Sequence, residues 1–378
     1  MTTTINNEHK KLNVPNLRFP EFQGEWEKCK LSEICTFFSG GTPSSSNKDF
    51  YGGNIAFIRS GELHADSTEL FITQDGYDNS SAKMVEVGDL LLAMYGATSG
   101  DIAISKIKGA INQAILCIRT NQNKKFIESV WNKHVSKILR KYLQGGQGNL
   151  SADIVKSISF SFPTLKEQEK IANLISLLDE RITTQSKIIE DLKKLKSAIS
   201  HILFSSKGAI HLSEIANVVM GQSPSSNAYN DQGLGMPLVQ GNLDISNGKT
   251  TPRLYTAEFN QTTEKGNIIL TVRAPVGEVA KATQKVCLGR GVCAIIPHEE
   301  NMSDFIYQYL TFYKFMWRRY EQGSTFTSIN GSDVRNIFCP KVRNVSILTL
   351  LDIKINIEER VVKQYQSQKQ YMLYQMFI

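Results

Sequence analysis

The sequence predicts a mixed α/β protein of two similar globular domains, separated by a long antiparallel two-helix coiled coil. Three observations carry that prediction. The chain repeats itself once, at an offset near 180 residues. Each copy closes on a long stretch of apolar residues spaced alternately three and four apart. The 378 residues are 41% hydrophobic and 21% charged, a composition that buries cores.

The duplication is read from ordered matches. Leu31-Ser32-Glu33-Ile34 returns as Leu212-Ser213-Glu214-Ile215, and Pro43-Ser44-Ser45 as Pro224-Ser225-Ser226. Gly88-Asp89 and Gly266-Asn267 each open an apolar strand, Leu90 to Ala93 and Ile268 to Leu270. Phe126-Ile127 and Phe305-Ile306 each head an amphipathic helix, and Val155 to Ile158 matches Val334 to Ile337 ahead of Pro163 and Pro340. A period this long makes each copy a domain rather than a solenoid repeat.

In chain order, residues 1–14 form a polar tail and 15–163 the first domain. Its short β-rich runs, Asn54 to Ile58 and Ile111 to Ile118, are separated by Gly, Pro, Asn and Ser clusters, and one helix runs from about Lys125 to Leu143. Residues 164–205 form the first long helix. Ile171, Leu174, Leu178, Ile188, Leu192, Leu195, Ile199 and Ile202 make its apolar seam, interrupted at Arg181 and Gln185. Residues 206–340 form the second domain, with strands at Ile268 to Val272 and Val292 to Ile296. Its helix from about Ser303 to Tyr320 carries an aromatic stripe that reads as core. Residues 341–378 form the second long helix, with the seam Leu348, Leu351, Ile355, Val362, Tyr365, Met372 and Met376 and exceptions at Glu358 and Lys369. Two narrow seams in one chain cover one another.

Several classes of function are excluded at the level of motifs. No GxxxxGK[ST] phosphate loop, GxGxxG, HExxH or GxSxG is present, and no proline follows Asn or Asp as a base methyltransferase motif requires. The six cysteines show no CxxC and read as buried free thiols, so neither zinc nor a disulfide is expected to organise the fold. No apolar run spans a bilayer and no signal peptide opens the chain, so a cytoplasmic location is expected. The excess of 43 Lys+Arg over 36 Asp+Glu permits nucleic-acid binding without demanding it.

The loops carry the residue types that recognise planar and anionic targets. Arg reads guanine, Asn and Gln read adenine, and hydroxyls hold phosphates. In the first domain the candidates for DNA contact are Thr42, Ser44, Arg59, Ser60, Tyr95, Thr98, Asn112, Gln113, Gln147 and Asn149. In the second they are Gln222, Ser223, Gln240, Asn242, Arg273, Arg290, Ser324 and Thr325. Equivalent loops with different residues suit one chain reading two different half-sites. The other reading is a non-catalytic coiled-coil scaffold that binds protein or glycan.

The segments Asn13 to Phe22, Gly24-Glu25-Trp26-Glu27 and Leu31 to Ile34, with Pro163 to Ala172 leading into the first long helix, resemble those of type I restriction-modification specificity subunits. The resemblance covers nearly the whole chain. It implies that each domain is a target recognition domain for double-stranded DNA and that the helices are spacers. It also implies that two methylation subunits attach, giving a DNA adenine methyltransferase, and that translocating restriction subunits join for cleavage. S-adenosylmethionine, ATP and Mg then belong to those partners, and no cofactor to this chain. The first helix and the N-terminal segment should dock a partner, and that segment should lie near the end of the second helix. Copy two lacks the Glu-Gln-x-Lys-Ile-Ala block, and its helix is expected to start closer to the preceding proline.

Overall fold

The computed structural model describes residues 13–142, 149–205, 210–320, 328–341 and 344–378, with the backbone alone at 318–320. The chain forms two compact units. One holds the residues up to Thr184 together with Val361–Ile378, and the other holds Gln185–Arg360. Each unit takes half of each long helix, whose outer ends join its core: Ile171, Ile175, Met376 and Phe377 in unit 1, and Ile199, Phe204 and Leu348 in unit 2.

In unit 1 the order is β1 (Glu27–Lys30), α1 (Leu31–Ile34), β2 (Cys35–Ser39), β3 (Tyr51–Ile58), β4 (Phe71–Ile72), α2 (Gln74–Asp78), β5 (Lys83–Val85), β6 (Leu90–Ala93), β7 (Ile102–Ile104), β8 (Gly109–Ile111), β9 (Ile115–Thr120), α3 (Lys124–Tyr142), α4 (Ala152–Ser157), β10 (Ser159–Phe162) and the 40-residue α5 (Leu165–Phe204), which continues into unit 2. Unit 2 follows with β11 (Ile210–His211), β12 (Ala216–Met220), β13 (Tyr229–Asn230), β14 (Met236–Val239), β15 (Ile245–Ser246), β16 (Lys249–Thr250), β17 (Leu254–Thr256), β18 (Thr262–Thr263), β19 (Ile268–Thr271), β20 (Val279–Lys281), β21 (Val286–Leu288), β22 (Val292–Pro297), α6 (Ser303–Tyr313), α7 (Gly331–Arg335), β23 (Phe338–Cys339) and α8 (Ser346–Met376).

The two units repeat one topology. One sheet orders β2-β9-β6-β7 in unit 1 and begins β12-β22-β19-β20 in unit 2; the other orders β4-β3-β8-β5 in unit 1 and contains β17-β14-β21-β18 in unit 2. The central strands β6 and β19 are buried at all four positions, and alternation divides their side chains between two cores. Leu90 and Leu92 join Phe126, Val130 and Trp131 of α3, while Leu91 and Ala93 face Ile58, Val85 and Ile111 of the second sheet. Ile268 and Leu270 likewise pack on α6, and Ile269 on Val239, Val286 and Leu288. Each unit is thus a helix layer on a sheet on a second sheet. Gly88 and Gly266 turn the chain into these strands at φ +91° each, a left-handed conformation that glycine adopts without steric cost.

Local chemistry sets the helix starts. Asn123 Oδ1 accepts the Phe126 N–H at 2.9 Å at the head of α3, and Ser151 and Asn330 cap α4 and α7 in the same way. The aromatic stripe of copy two is core at Phe305, Tyr309 and Trp317, while Phe315 is exposed. It does not lie on one α-helix, since the chain tightens to a 3₁₀ helix at Lys314–Tyr320. Burial pushes the Cys117, Cys293 and Cys339 thiols up to about 12, as for inert core cysteines. No helix of the described residues is long and apolar enough to cross a membrane.

The helix halves pair antiparallel within each unit. In unit 1 Asp179 meets Lys369 at 2.5 Å and Arg181 meets Tyr365 at 3.4 Å, Leu178 is buried, and Met376 and Phe377 share the core of Ile171 and Ile175. In unit 2 Gln185 bonds Glu358, and Lys196 meets Asp352 at 2.6 Å. The second seam runs as expected: Leu348, Leu351, Ile355, Val362, Tyr365, Met372 and Met376 are all at least half-buried. The first seam needs a correction. Its row Ile171, Leu178, Leu192 and Ile199 is covered, and Leu174 is half-buried, but Ile188 and Leu195 are 40% and 49% exposed and Ile202 faces solvent. Ile175, Ile182, Ile189 and Leu203 fill the second row instead, one position further on. Adjacent apolar pairs such as Ile188-Ile189 offer two rows with the same spacing, and the inner one is completed by Lys196, whose stem lies along the seam while its ammonium reaches Asp352.

A second correction concerns the start of α8. It begins at Ser346, six positions after Pro340, whereas α5 begins two after Pro163, so the copy-two helix starts further from its proline. Asn344 accepts the Ser346 N–H at 3.1 Å and sets that start. The N-terminal segment does reach the end of α8, where Leu17 N donates to Gln375 O at 2.9 Å.

Candidate nucleic-acid interface

In unit 1 five loops meet at one edge. β3 and β8 run parallel with Ile58 opposite Ile111, so the residues leaving them, Arg59-Ser60 and Asn112-Gln113, emerge side by side. The run Ile111 to Ile118 is therefore two strands rather than one, because the chain changes sheet at Asn112. The loop after β2 crosses these residues: Gly41 N donates to Ile111 O at 3.2 Å, and the Thr42 hydroxyl bonds the Gln113 side chain. Met94 N donates to Ala114 O at 2.8 Å and Leu150 N to Met94 O at 3.0 Å, which brings in Tyr95 and Asn149. Ser44 lies further along the first loop, bonded to Ser46, and Thr98 is half-buried in the turn after Tyr95. Gln147 lies outside the described residues.

Unit 2 builds the same edge from different side chains. β14 and β21 run parallel with Val239 opposite Leu288, so Gln240, Asn242 and Arg290 emerge together. Gln222 N donates to Leu288 O at 2.9 Å, and Arg290 N donates to Ser223 Oγ at 3.1 Å, where unit 1 has the Thr42–Gln113 contact. Val272 N donates to Gly291 O at 2.9 Å and Ile329 N to Val272 O at 3.0 Å, as Met94 and Leu150 do in unit 1, and these place the exposed Arg273 beside Ser328. Ser324 and Thr325 lie outside the described residues.

Glycine allows these close approaches. A Cβ on Gly40 would lie 1.8 Å from Ile111 O, and one on Gly221 would lie 2.1 Å from Gly289 O. Gly40→Ala is expected to destabilise unit 1 by about 1–3 kcal/mol through overpacking, whereas Gly61→Ala, whose Cβ meets nothing within 4 Å, should leave it unchanged. Thermal denaturation of the two variants checks this; equal melting temperatures would remove the packing argument.

The edge is polar and only partly neutralised. Arg59 is 51% exposed and paired with Glu62 at 2.8 Å, and its guanidinium holds the Glu62 carboxyl below the usual carboxylate range. Two further residues at these edges were not singled out in the sequence. His64, 65% exposed, bridges to Asp101 at 2.9 Å and so ties the loop after β3 to the loop after β6. Arg253 pairs with Asp244, whose carboxylate also accepts the Gln240 N–H. Neither lies in a motif, and both are placed by contacts distant in sequence. Among the described residues no group of three His, Cys, Asp or Glu side chains is placed to hold a metal ion.

Two copies of one α/β unit, each presenting a matched but differently populated loop edge and each carrying half of a helix pair, define a two-site recognition protein. The profile of the type I restriction modification DNA specificity domain matches residues 23–194 and 208–364, and the chain belongs to that family. It is a DNA sequence-recognition subunit without catalysis of its own, and DNA and the other restriction-modification subunits are its partners. The chain is 28% identical to the putative type I restriction enzyme MjaX specificity subunit of Methanocaldococcus jannaschii, over 88% of this chain and 86% of that protein. It is 27% identical to the EcoR124I/EcoR124II specificity subunit of Escherichia coli over 51% and 50% of the two chains. The crystal structure of the type I system S subunit from M. genitalium superposes with a TM-score of 0.66 at 18% identity, over 97% of this chain and 99% of that one, and so shares the fold.

Proposed function

We propose that each unit reads one half of a bipartite double-stranded DNA site through its five-loop edge, and that two methylation subunits bind the chain and methylate adenines within the site. The observation that carries this reading is the pair of matched edges: the main-chain ties between loops recur, while Arg59, Asn112 and Gln113 of one are replaced by Gln240, Gly289 and Arg290 of the other. A shared scaffold with different hydrogen-bonding groups suits two different half-sites. The apolar side chains left on the outer helix faces, Ile188 and Leu195 on α5 with Ile353 and Ile357 on α8, offer surface to the partner subunits. Restriction subunits join this assembly for cleavage. S-adenosylmethionine, ATP and Mg are held by the partners in the cytoplasm, and this chain binds none of them.

Replacing residues 206–340 with the corresponding domain of another such subunit is expected to change one half of the recognised site and preserve the other. Mapping methylated adenines across a genome that carries the chimera and its methylation partner measures this. A chimera with both halves altered would overturn independent reading. DNA affinity should also fall steeply with salt, as released counterions require.

A further inference from the structure

We infer that Arg253 is a specificity-determining residue of unit 2 that reads a guanine, and that Asp244 positions it for that task. The inference rests on the reading of the loop edge as the DNA-reading surface. The Asp244 side chain is 4% exposed and bonded on both oxygens: Oδ2 accepts the Gln240 N–H at 2.8 Å and Oδ1 accepts Arg253 Nε at 3.1 Å. Thr251 N donates to Asp244 O at 2.8 Å, which fastens the strand-to-strand segment carrying Arg253 onto the turn beneath the edge. Arg253 itself is 57% exposed, and its two terminal nitrogens make no hydrogen bond among the described residues.

Unit 1 supplies an independent parallel. There Glu62 accepts the Arg59 N–H at 3.0 Å and also holds the Arg59 guanidinium, at 3.2 Å to Nε and 2.8 Å to Nη2. In both units one carboxylate caps the first N–H of the loop leaving the parallel strand and holds an exposed arginine beside it. The arginine comes from different points of the chain. Position 59 is itself the arginine in unit 1; in unit 2 the equivalent position is Gln240, and the guanidinium arrives from residue 253.

The chemistry favours a base over a phosphate. A carboxylate against the guanidinium cancels much of its charge, which weakens attraction to the DNA backbone. It also fixes the fork in advance, so little rotamer freedom is lost on binding. Asp244 occupies Nε and leaves both terminal N–H groups for the O6 and N7 acceptors of guanine, the bidentate pairing that arginine makes with that base. Gln240 and Asn242 emerge beside it.

The test uses the full chain assembled with its methylation subunits, with methylated adenines mapped genome-wide. Arg253→Ala should relax one guanine position in the half-site read by unit 2, lowering discrimination there on the order of ten- to hundredfold, with the other half-site unchanged. Arg253→Lys keeps the charge opposite Asp244 but lacks the fork. It should relax the same position and decides the matter if the alanine variant does not fold. Asp244→Asn should relax that position and no other, an effect that a merely structural role would not produce. An unchanged site in folded Arg253→Ala or Arg253→Lys overturns the inference, and so does uniformly weaker methylation of all sites with no relaxed position. A parent chain that directs no defined methylation site would instead defeat the DNA-reading function itself.

Discussion

Glu167→Ala is expected to destabilise unit 1 by about 3–5 kcal/mol, the cost of breaking a buried ion pair by removing one partner. The Glu167 side chain is 1% exposed and receives Nε and Nη2 of Arg18 at 2.8 Å each, together with the buried Trp26 Nε1 at 3.3 Å. Without the carboxylate, an Arg18 side chain only 16% exposed and an indole N–H lose their shared acceptor, and Arg18 is left with the carbonyls of Gln23 and Gly24. These three residues also join the N-terminal segment to the first turn of α5, so packing is lost along with the pair. Urea denaturation of the variant beside the parent chain measures the effect. A loss below about 1 kcal/mol would show that water replaces the carboxylate without penalty. Replacing Arg18 and Glu167 together by apolar residues should cost less than Glu167→Ala alone, since no uncompensated charge remains.

Phe377→Ala should cost about 3–5 kcal/mol as well, by a different mechanism. Phe377 is 2% exposed, and its ring lies 5.0 Å from that of Phe126, in the core that also holds Trp26, Phe162 and Ile171. Its carbonyl accepts a hydrogen bond from Lys133 Nζ. Truncation would leave a cavity among aromatic rings that cannot close over it. Calorimetry on the variant should show a clear fall in the unit 1 transition, while Tyr371→Ala, at a side chain 57% exposed on α8 just before it, should leave it nearly in place. Equal effects from the two would contradict the placement of Phe377 in the core.

The elements that local sequence dictates were legible. Gly88 and Gly266 announced the central strands because a left-handed glycine and a fully apolar run mark a turn into a buried strand, and α3 and α5 start within a residue of their expected positions. What depends on distant pairing was not legible. Ile111 to Ile118 reads as one β run, yet the parallel partner of Ile111 is Ile58, and only that pairing shows that the chain leaves one sheet for the other at Asn112. Ile188 and Ile189 satisfy the same heptad spacing, and the choice between them is made by the facing helix. Arg253 carried no signal because the carboxylate that presents it lies nine positions earlier, in a turn whose counterpart in copy one closes on Arg59.

The ties that gather the five loops are mostly backbone hydrogen bonds, reinforced by glycines under van der Waals constraint, and few of them need a particular side chain. Stability and recognition are therefore stored in different atoms of the same loops. Under the proposed reading, exchanging the side chains of Arg59, Asn112, Gln240 or Arg290 would change the recognised base without refolding the edge that presents it. On that reading one scaffold serves many recognition sequences, because the atoms that hold the loops together are not those that would meet the bases.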